Sequence, residues 1–424
     1  MKKSLLFLTF LLLFQACDNV SEVYRHGDVE LRDDDTSSKN VSFTEAWVKN
    51  YGSVDGMAIA DSTMDSTGNI YTTGGNFLNN IGDLFIVKYD TNGTRLWSKV
   101  YDYGESEEGK GITVDKEGNL YITGLTGDSH HSQTANILLL KVDKNGEELW
   151  HQSYGSDKED DIFDIALDAQ NDIYICGSTK GDLDGTTLVK YTDSFLTKFS
   201  TDGNKLWTKN FGQNYSDYAK NLFIDKHDDI FIGGSISGKG DTYLTKFKTD
   251  GTQAWHKTYP TNNFEYAVNL SLGKDGNFYF SGKVGLRDEN KEYIEPNTDE
   301  VFARKIDKDG KERYYITFGT QAQDEIAYSI TGDKYGHAYL IGESKGSFTD
   351  SSLKEMASPF LTHITPNGTI KSTKEYSGSI INHANIHITD ENSLFIASWG
   401  NLSYDERIPK SNAGFLLKLT LNYE

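Results

Sequence analysis

Residues 117–124 read EGNLYITG and, after a variable loop, residues 137–155 read ILLLKVDKNGEELWHQSYG. Short apolar runs joined by tight Asp/Gly/Asn turns mark antiparallel strands. The same phrase recurs down the chain. Its first half returns as IALDAQNDIYICG around Tyr174, LFIDKHDDIFIGG around Phe231 and LSLGKDGNFYFSG around Tyr279. SITGDKYGHAYLIG around Tyr339 and IHITDENSLFIAS around Phe395 follow, and a version with a longer turn surrounds Tyr71. The second half sets an aromatic at a fixed offset after its turn glycine: Trp97, Trp150, Trp207 and Trp255, then Tyr314, with Ser372 in the last copy. Each period holds four short strands in roughly 50–60 residues, near the length of a propeller blade. A lone pair of hairpins cannot bury both faces, so the units have to stack around an axis.

Counting the tyrosine strands gives seven units, and counting the tryptophan-type strands gives seven only when Trp47 is included. Trp47 precedes the first complete unit, while the chain ends at FLLKLTLNYE (415–424) with no such strand after it. The strand around Trp47 is therefore expected beside Phe415–Leu421, closing the ring and removing both open edges. The expected fold is all-β: a seven-bladed β-propeller with four antiparallel strands per blade. In the tryptophan strands a lysine often follows two positions on (Lys49, Lys209, Lys257), where a long stem can lie along the ring.

The phrase K-x-D-x-x-G-x-x-L-W-x-x-x-Y-G with I-x-x-D-x-x-G-N-x-Y-x-x-G resembles the bacterial β-propeller repeat family called SBBP, from about Trp47 to the C-terminus. That resemblance implies the fold and no particular chemistry. The D-x-x-x-G-x-x-W half also looks like the repeats of quinoprotein dehydrogenases and of the outer-membrane assembly lipoprotein propeller. Those relatives usually have eight blades, and the count of seven sets this chain apart.

The chain starts MKKSLLFLTFLLLFQAC, with two lysines before an apolar run too short for a transmembrane helix. Ala16 before Cys17 makes it resemble a lipoprotein signal, which implies a signal peptide over 1–16, cleavage and acylation at Cys17, and a cell-envelope location, expected at the outer membrane. The polar residues 17–40 read as a disordered tether, and 41–424 as the propeller. Cys176, the other cysteine, reads as a small buried apolar residue; with Cys17 lipidated no disulfide is expected. The net charge of −21 opposes nucleic acid as a partner.

Function is expected on the loops between second and third strands, which vary widely: 126–136, 178–193, 284–299, 343–359 and 400–413 are long. A second candidate is an acid recurring at the blade-to-blade connection: Glu107, Asp160, Asp217, Glu265 and Glu325, with Asn382 holding the place in the last unit. Seven-fold placement would set these acids around the channel mouth. The plainer reading is that each caps backbone amides of its own loop. The turn aspartates Asp115, Asp168, Asp225, Asp333 and Asp390, and Asp307, offer too few oxygens for calcium. His383 and His387 share a strand face too far apart for one metal, and His130–His131 lacks a third ligand. No nucleophile elbow, P-loop or paired-cysteine pattern occurs. These features point to a non-enzymatic binding or scaffold module, without metal or cofactor, for a protein or glycan partner at the long-loop face. The alternative is a propeller-fold polysaccharide lyase or glycoside hydrolase, and a cofactor-binding quinoprotein ranks third.

Overall fold

The structure is a computed structural model that describes residues 41–423, less 51–56, 77–81, 105, 128–135, 184–191, 213–215, 238, 286–299, 321–324, 349–352, 377–379, 390–391 and 402–412. The signal peptide, the tether and Cys17 lie outside the described residues.

Seven four-stranded antiparallel sheets make up the chain. Blades 1 to 6 are consecutive quartets over 57–101, 107–154, 160–211, 217–259, 264–318 and 325–375. Blade 7 joins Ile380–Ile388, Ser393–Asn401 and Ala413–Tyr423 to Val41–Asn50 as its outermost strand. Val41 pairs with Tyr423 and Asn50 with Phe415, so the ring closes through the two ends of the chain, as the Trp47 count requires. One quoted loop is shorter than read: Leu353–Ile364 is a strand.

The core lies between blades rather than within them. Seven clusters of buried apolar side chains each span two neighbouring blades. The one joining blades 7 and 1 holds Phe395 and Leu416 with Ile59, Ile70 and Phe85, and Trp47 packs against it. A ring is the arrangement in which every such face finds a partner.

The repeat phrase has a mechanical meaning. In blades 1 to 4 and 7 the second-strand aromatic, the third-strand lysine and the outer-strand tryptophan lie side by side, as Tyr71, Lys88 and Trp97 do, while blade 5 has Tyr314 for the tryptophan and blade 6 has His363 and Ser372 for the last two. The lysine ammonium sits 4.9 Å from the Tyr71 ring centre, 4.7 Å from that of Tyr121 and 4.9 Å from that of Tyr174 in successive blades. Trp47, Trp97, Trp150 and Trp207 each lean on a turn glycine of the next blade. A methyl group added to Gly93 would come within 2.7 Å of the Trp47 ring, and one on Gly146 within 3.1 Å of Trp97. Gly203 stands in the same relation to Trp150, and Gly251 to Trp207. Gly310 is covered instead by the stem of Lys257, whose ammonium lies 5.3 Å from the Trp255 ring centre. These glycines also hold positive φ, 73° at Gly93 and 78° at Gly146, so two constraints select the same residue.

Candidate functional site

The first strand of each blade lines a central channel of about 1410 Å³. Its two ends differ. The start of each inner strand pairs with the end of the second strand (Glu107 with Thr126, Asp160 with Thr179), from which the variable loops depart. The other end carries the tight turns. There the aspartates serve their own backbone: Asp115 Oδ1 accepts from the Glu117 and Asn119 N–H groups at 3.0 and 2.8 Å. Asp168, Asp225, Asp307 and Asp333 do the same. Asp390 lies outside the described residues; in blade 7 the turn bond is made from Thr389.

Every inner strand contains a one-residue bulge, and the bulge decides what faces the channel. The inserted residues are Ala60, Lys110, Phe163, Lys220, Val268 and Tyr328, each lining the channel, with Asn382 at the shift in blade 7. A bulge bends the strand and re-aims a side chain.

Immediately past the bulge lies the waist of the channel, a ring of polar side chains that stitches blade to blade. Asp61 Oδ2 accepts from Ile112 N–H (2.9 Å), Asp164 Oδ2 from Leu222 N–H (2.8 Å) and Asn221 Oδ1 from Leu270 N–H (2.9 Å). Asn269 and Ser329 take the Ile330 and Ile386 amides at 3.3 Å. Asn385 donates to Ala60 O and Asp61 Oδ1, returning the ring to blade 1. Blade 2 has Gly111 at this place. A Cβ there would meet Ile165 Cγ2 and Thr123 Cγ2 at 3.2 Å, and Ile165 N–H turns to Asp164 Oδ1 at 2.7 Å instead. Burial pushes the Asp164 carboxyl up to about 7. Burial, and then the charge of Asp164, raise Asp61. Below the waist Ser62 Oγ and His387 Nε2 share a hydrogen bond of 2.8 Å, and burial pushes His387 down to about 4.

Above the waist, toward the variable loops, is a chamber of rings and charges. Lys220 Nζ lies 3.8 Å from the Phe163 ring centre, 5.6 Å from that of Tyr218 and 5.8 Å from that of Tyr266. Tyr266 is 42% exposed. Lys110 is paired with Glu108 at 2.8 Å. Burial raises Asp161, opposed by the charges of Lys110 and Lys220. Tyr328 donates to Glu343 Oε1 at 2.8 Å, and burial followed by that carboxylate holds its phenol far above the ordinary value. Burial, with the nearby Lys110 charge, lowers His383 to about 4.

The five recurring acids lie elsewhere. Glu107, Asp160, Asp217, Glu265 and Glu325 are all buried, in the seams between blade and connection rather than on the channel rim. Glu107 accepts from Tyr103 N–H (3.4 Å) and Thr126 Oγ1 (3.3 Å); Asp160 accepts from Ser156 N–H (2.5 Å) and Oγ (3.1 Å). The glycine that ends the W-x-x-x-Y-G phrase makes room for the acid. A Cβ on Gly155, Gly212 or Gly319 would approach Asp160, Asp217 or Glu325 carboxylate oxygens to 3.1, 2.8 and 2.8 Å. Glu265 instead receives Arg304 Nη1 and Nη2 at 2.8 and 3.1 Å. Glu107 also closes the one group of three metal-compatible residues among those described, with Asp83 and Asp102, their oxygens within 4.8 Å of one another.

Glu325 supports a pH prediction. Its Oε1 accepts from Thr320 N–H and Oγ1 and from Ser344 Oγ, at 3.1, 2.5 and 3.0 Å. Burial raises the carboxyl from 4.5 to about 7. A raised folded value means the native state holds its proton while the unfolded chain has released it. Stability is thus complete below the unfolded value, falls as pH rises toward about 7, and is flat above, an effect of about 2–3 kcal/mol. Glu325→Gln, neutral throughout, is expected to melt higher than the parent at pH 8 and alike at pH 5. Identical melting curves at both pH values would remove Glu325 as the source.

Four likenesses to known proteins accompany this geometry. Residues 106–130 match the SBBP β-propeller repeat family. Over 162 residues the chain is 24% identical to the regulatory protein FlaEY of Caulobacter vibrioides, which takes in 34% of this chain and 17% of that protein's length. The WD40 domain of Pan2 from Neurospora crassa superposes with a TM-score of 0.53 at 10% identity, over 89% of this chain and 95% of that one. The polysaccharide lyase Uly1 gives 0.50 at 11% identity, over 87% and 91%. At such identities the structural likeness is one of fold alone.

Proposed function

We propose that this protein is a lipid-anchored propeller of the cell envelope that binds a glycan at the channel mouth on its long-loop face, without turning it over. One observation carries the reading: Phe163 and Lys220 line the channel together with Tyr328 and the Lys110–Glu108 pair, and the Tyr218 and Tyr266 ring centres lie 5.6 and 5.8 Å from the Lys220 ammonium. Sugars offer a C–H face to stack on such rings and hydroxyls to meet the charges around them. The propeller sets the chamber rigidly at the base of the variable loops, where selectivity can be tuned without disturbing the ring.

The chamber's titratable groups favour binding over catalysis. A general acid or base works best near the ambient pH. Tyr328 has its proton committed to Glu343, and His383, held down to about 4, is a weak base. Asp164 sits nearer neutrality, but both its oxygens accept backbone amides. Lipidation at Cys17 and the outer-membrane location belong to the same proposal.

The full chain, recovered from membranes only with detergent, should retain oligosaccharides from a glycan panel. Tyr266→Ala should weaken that retention at least about tenfold, the equivalent of losing about 1.4 kcal/mol of stacking. Retention of no glycan, or of a protein partner in its place, overturns the reading. New reducing ends or unsaturated products would favour the lyase or glycoside hydrolase alternative.

A further inference from the structure

We infer that the glycan taken by this chamber is acidic, and that Lys220 is the counter-ion for its carboxylate or sulfate group. The inference rests on the binding reading above and names the ligand class.

Lys220 occupies the bulge position of blade 4, which turns its side chain into the channel. Its ammonium lies over the Phe163 ring, with Tyr218 and Tyr266 farther out. Among the described residues no hydrogen-bond acceptor or carboxylate reaches it within ion-pair distance. Ring faces attract the charge but give its three N–H donors no acceptor among the described residues, which leaves them open to one supplied by a ligand. The other chamber lysine is already committed, because Lys110 pairs with Glu108 at 2.8 Å. One unpaired cation therefore stands beside aromatic platforms, which matches a sugar ring bearing a single negative group.

The charges that face Lys220 are Asp161, which attracts it, and Lys110, which repels it. Asp161 places Oδ1 on the Ile162 amide at 3.0 Å, so it is engaged with its own strand. The overall charge of −21 argues against an anionic ligand only at long range. At physiological salt that repulsion is screened beyond about 8 Å, whereas a contact inside a recessed chamber is screened far less. The local cation thus decides which sugar is seated, and the global charge lowers the rate of arrival.

The test compares three oligosaccharides of equal length on the full chain in detergent, by calorimetry: oligogalacturonate, a sulfated galactan fragment and a neutral xylan fragment. At least one acidic oligosaccharide should bind about tenfold or more tighter than the neutral one, with the preference shrinking between about 50 and 500 mM salt. Lys220→Met should abolish the preference, and Lys220→Arg should restore most of it. Lys220→Met should also melt no lower than the parent, because an apolar stem replaces an ammonium that has no acceptor; a merely structural lysine would lose stability. Equal binding of neutral and acidic chains, unaffected in Lys220→Met yet lost in Tyr266→Ala, would overturn this inference and leave the binding reading standing. Failure of a folded protein to bind any of the three, or any glycan of the panel, overturns both.

Discussion

Removing Val41–Asn50, while leaving the preceding and following residues joined, is expected to abolish the folded monomer. This strand is the outer edge of blade 7, and nine of its residues pair with Phe415–Tyr423. Its loss would bare an apolar edge strand, FLLKLTL (415–421), of the kind that templates pairing with another chain. It would also uncover two neighbours. Trp47 packs on Phe395 with ring centres 5.9 Å apart and leans on Gly93 of blade 1. Phe43 meets Tyr339 of blade 6 edge-on at 5.8 Å. Each such aromatic contributes about 1.5–3 kcal/mol when buried, and nine lost pairings add to that. A domain is commonly stable by only about 5–15 kcal/mol. The shortened chain should therefore elute as aggregate and show no cooperative melt. Adding a peptide of residues 41–50 should recover part of the monomer. A soluble monomer melting within a few degrees of the parent would mean that the ring is held by the blade interfaces alone.

That closure was legible in the sequence because it follows from counting. Tight turns and a strand period of two are local signals, and Trp47 lacked a partner in any other arrangement. The channel was legible only in part, for a reason that can be stated residue by residue. With strict alternation from the turn at Asp115, Thr113, Gly111, Gly109 and Glu107 would share one face. Thr113 does line the channel, but the extra residue at Lys110 reverses the parity beyond it. Glu108 and Lys110 then face the channel, while Glu107 is buried in the seam. Blade 3 repeats this: Ile162 is fully buried and the inserted Phe163 lines the channel. The same offset carried the reading to five structural acids and past Lys220 and Tyr328. A sequence offers no marker for such a bulge, since the inserted residue is alanine, lysine, phenylalanine, valine or tyrosine in different blades. The role of the Y-G glycine was equally hidden, because it depends on an acid five or six residues later folding back beneath it.

Blade 5 departs from the repeat in one buried charge pair, and Arg304→Met is expected to be the most damaging single substitution. The equivalent third-strand residues are Val87, Leu140, Thr197, Thr245, Thr362 and Leu417, each placed just before the conserved-phase lysine or its substitute. Arg304 is 1% exposed and grips Glu265, also 1% exposed, through both terminal nitrogens. It also donates to Thr242 of blade 4 and lies 4.5 Å from the Tyr315 ring centre. Burial raises Glu265 even with Arg304 beside it, so desolvation outweighs the pairing. The pair is consequently weak evidence of net stabilisation, yet removing one partner strands the other. Arg304→Met leaves a buried carboxylate without its counter-ion, a loss of about 3–5 kcal/mol. The second acidic neighbour, Glu312, approaches Arg304 Nε at 2.7 Å but is 39% exposed, so water can take it over. The double variant Arg304→Met with Glu265→Gln should recover much of the loss, since no charge is left stranded. The sign of the pH dependence separates this from a packing defect. In Arg304→Met the Glu265 carboxyl is raised further by burial, and the folded variant gains stability as pH falls toward the unfolded value of about 4.3. The gap in melting temperature between parent and variant should be widest at pH 8 and narrow by pH 5. A gap that stays constant with pH, together with a double variant no better than the single, would show that Arg304 acts by filling space and that its charge is incidental.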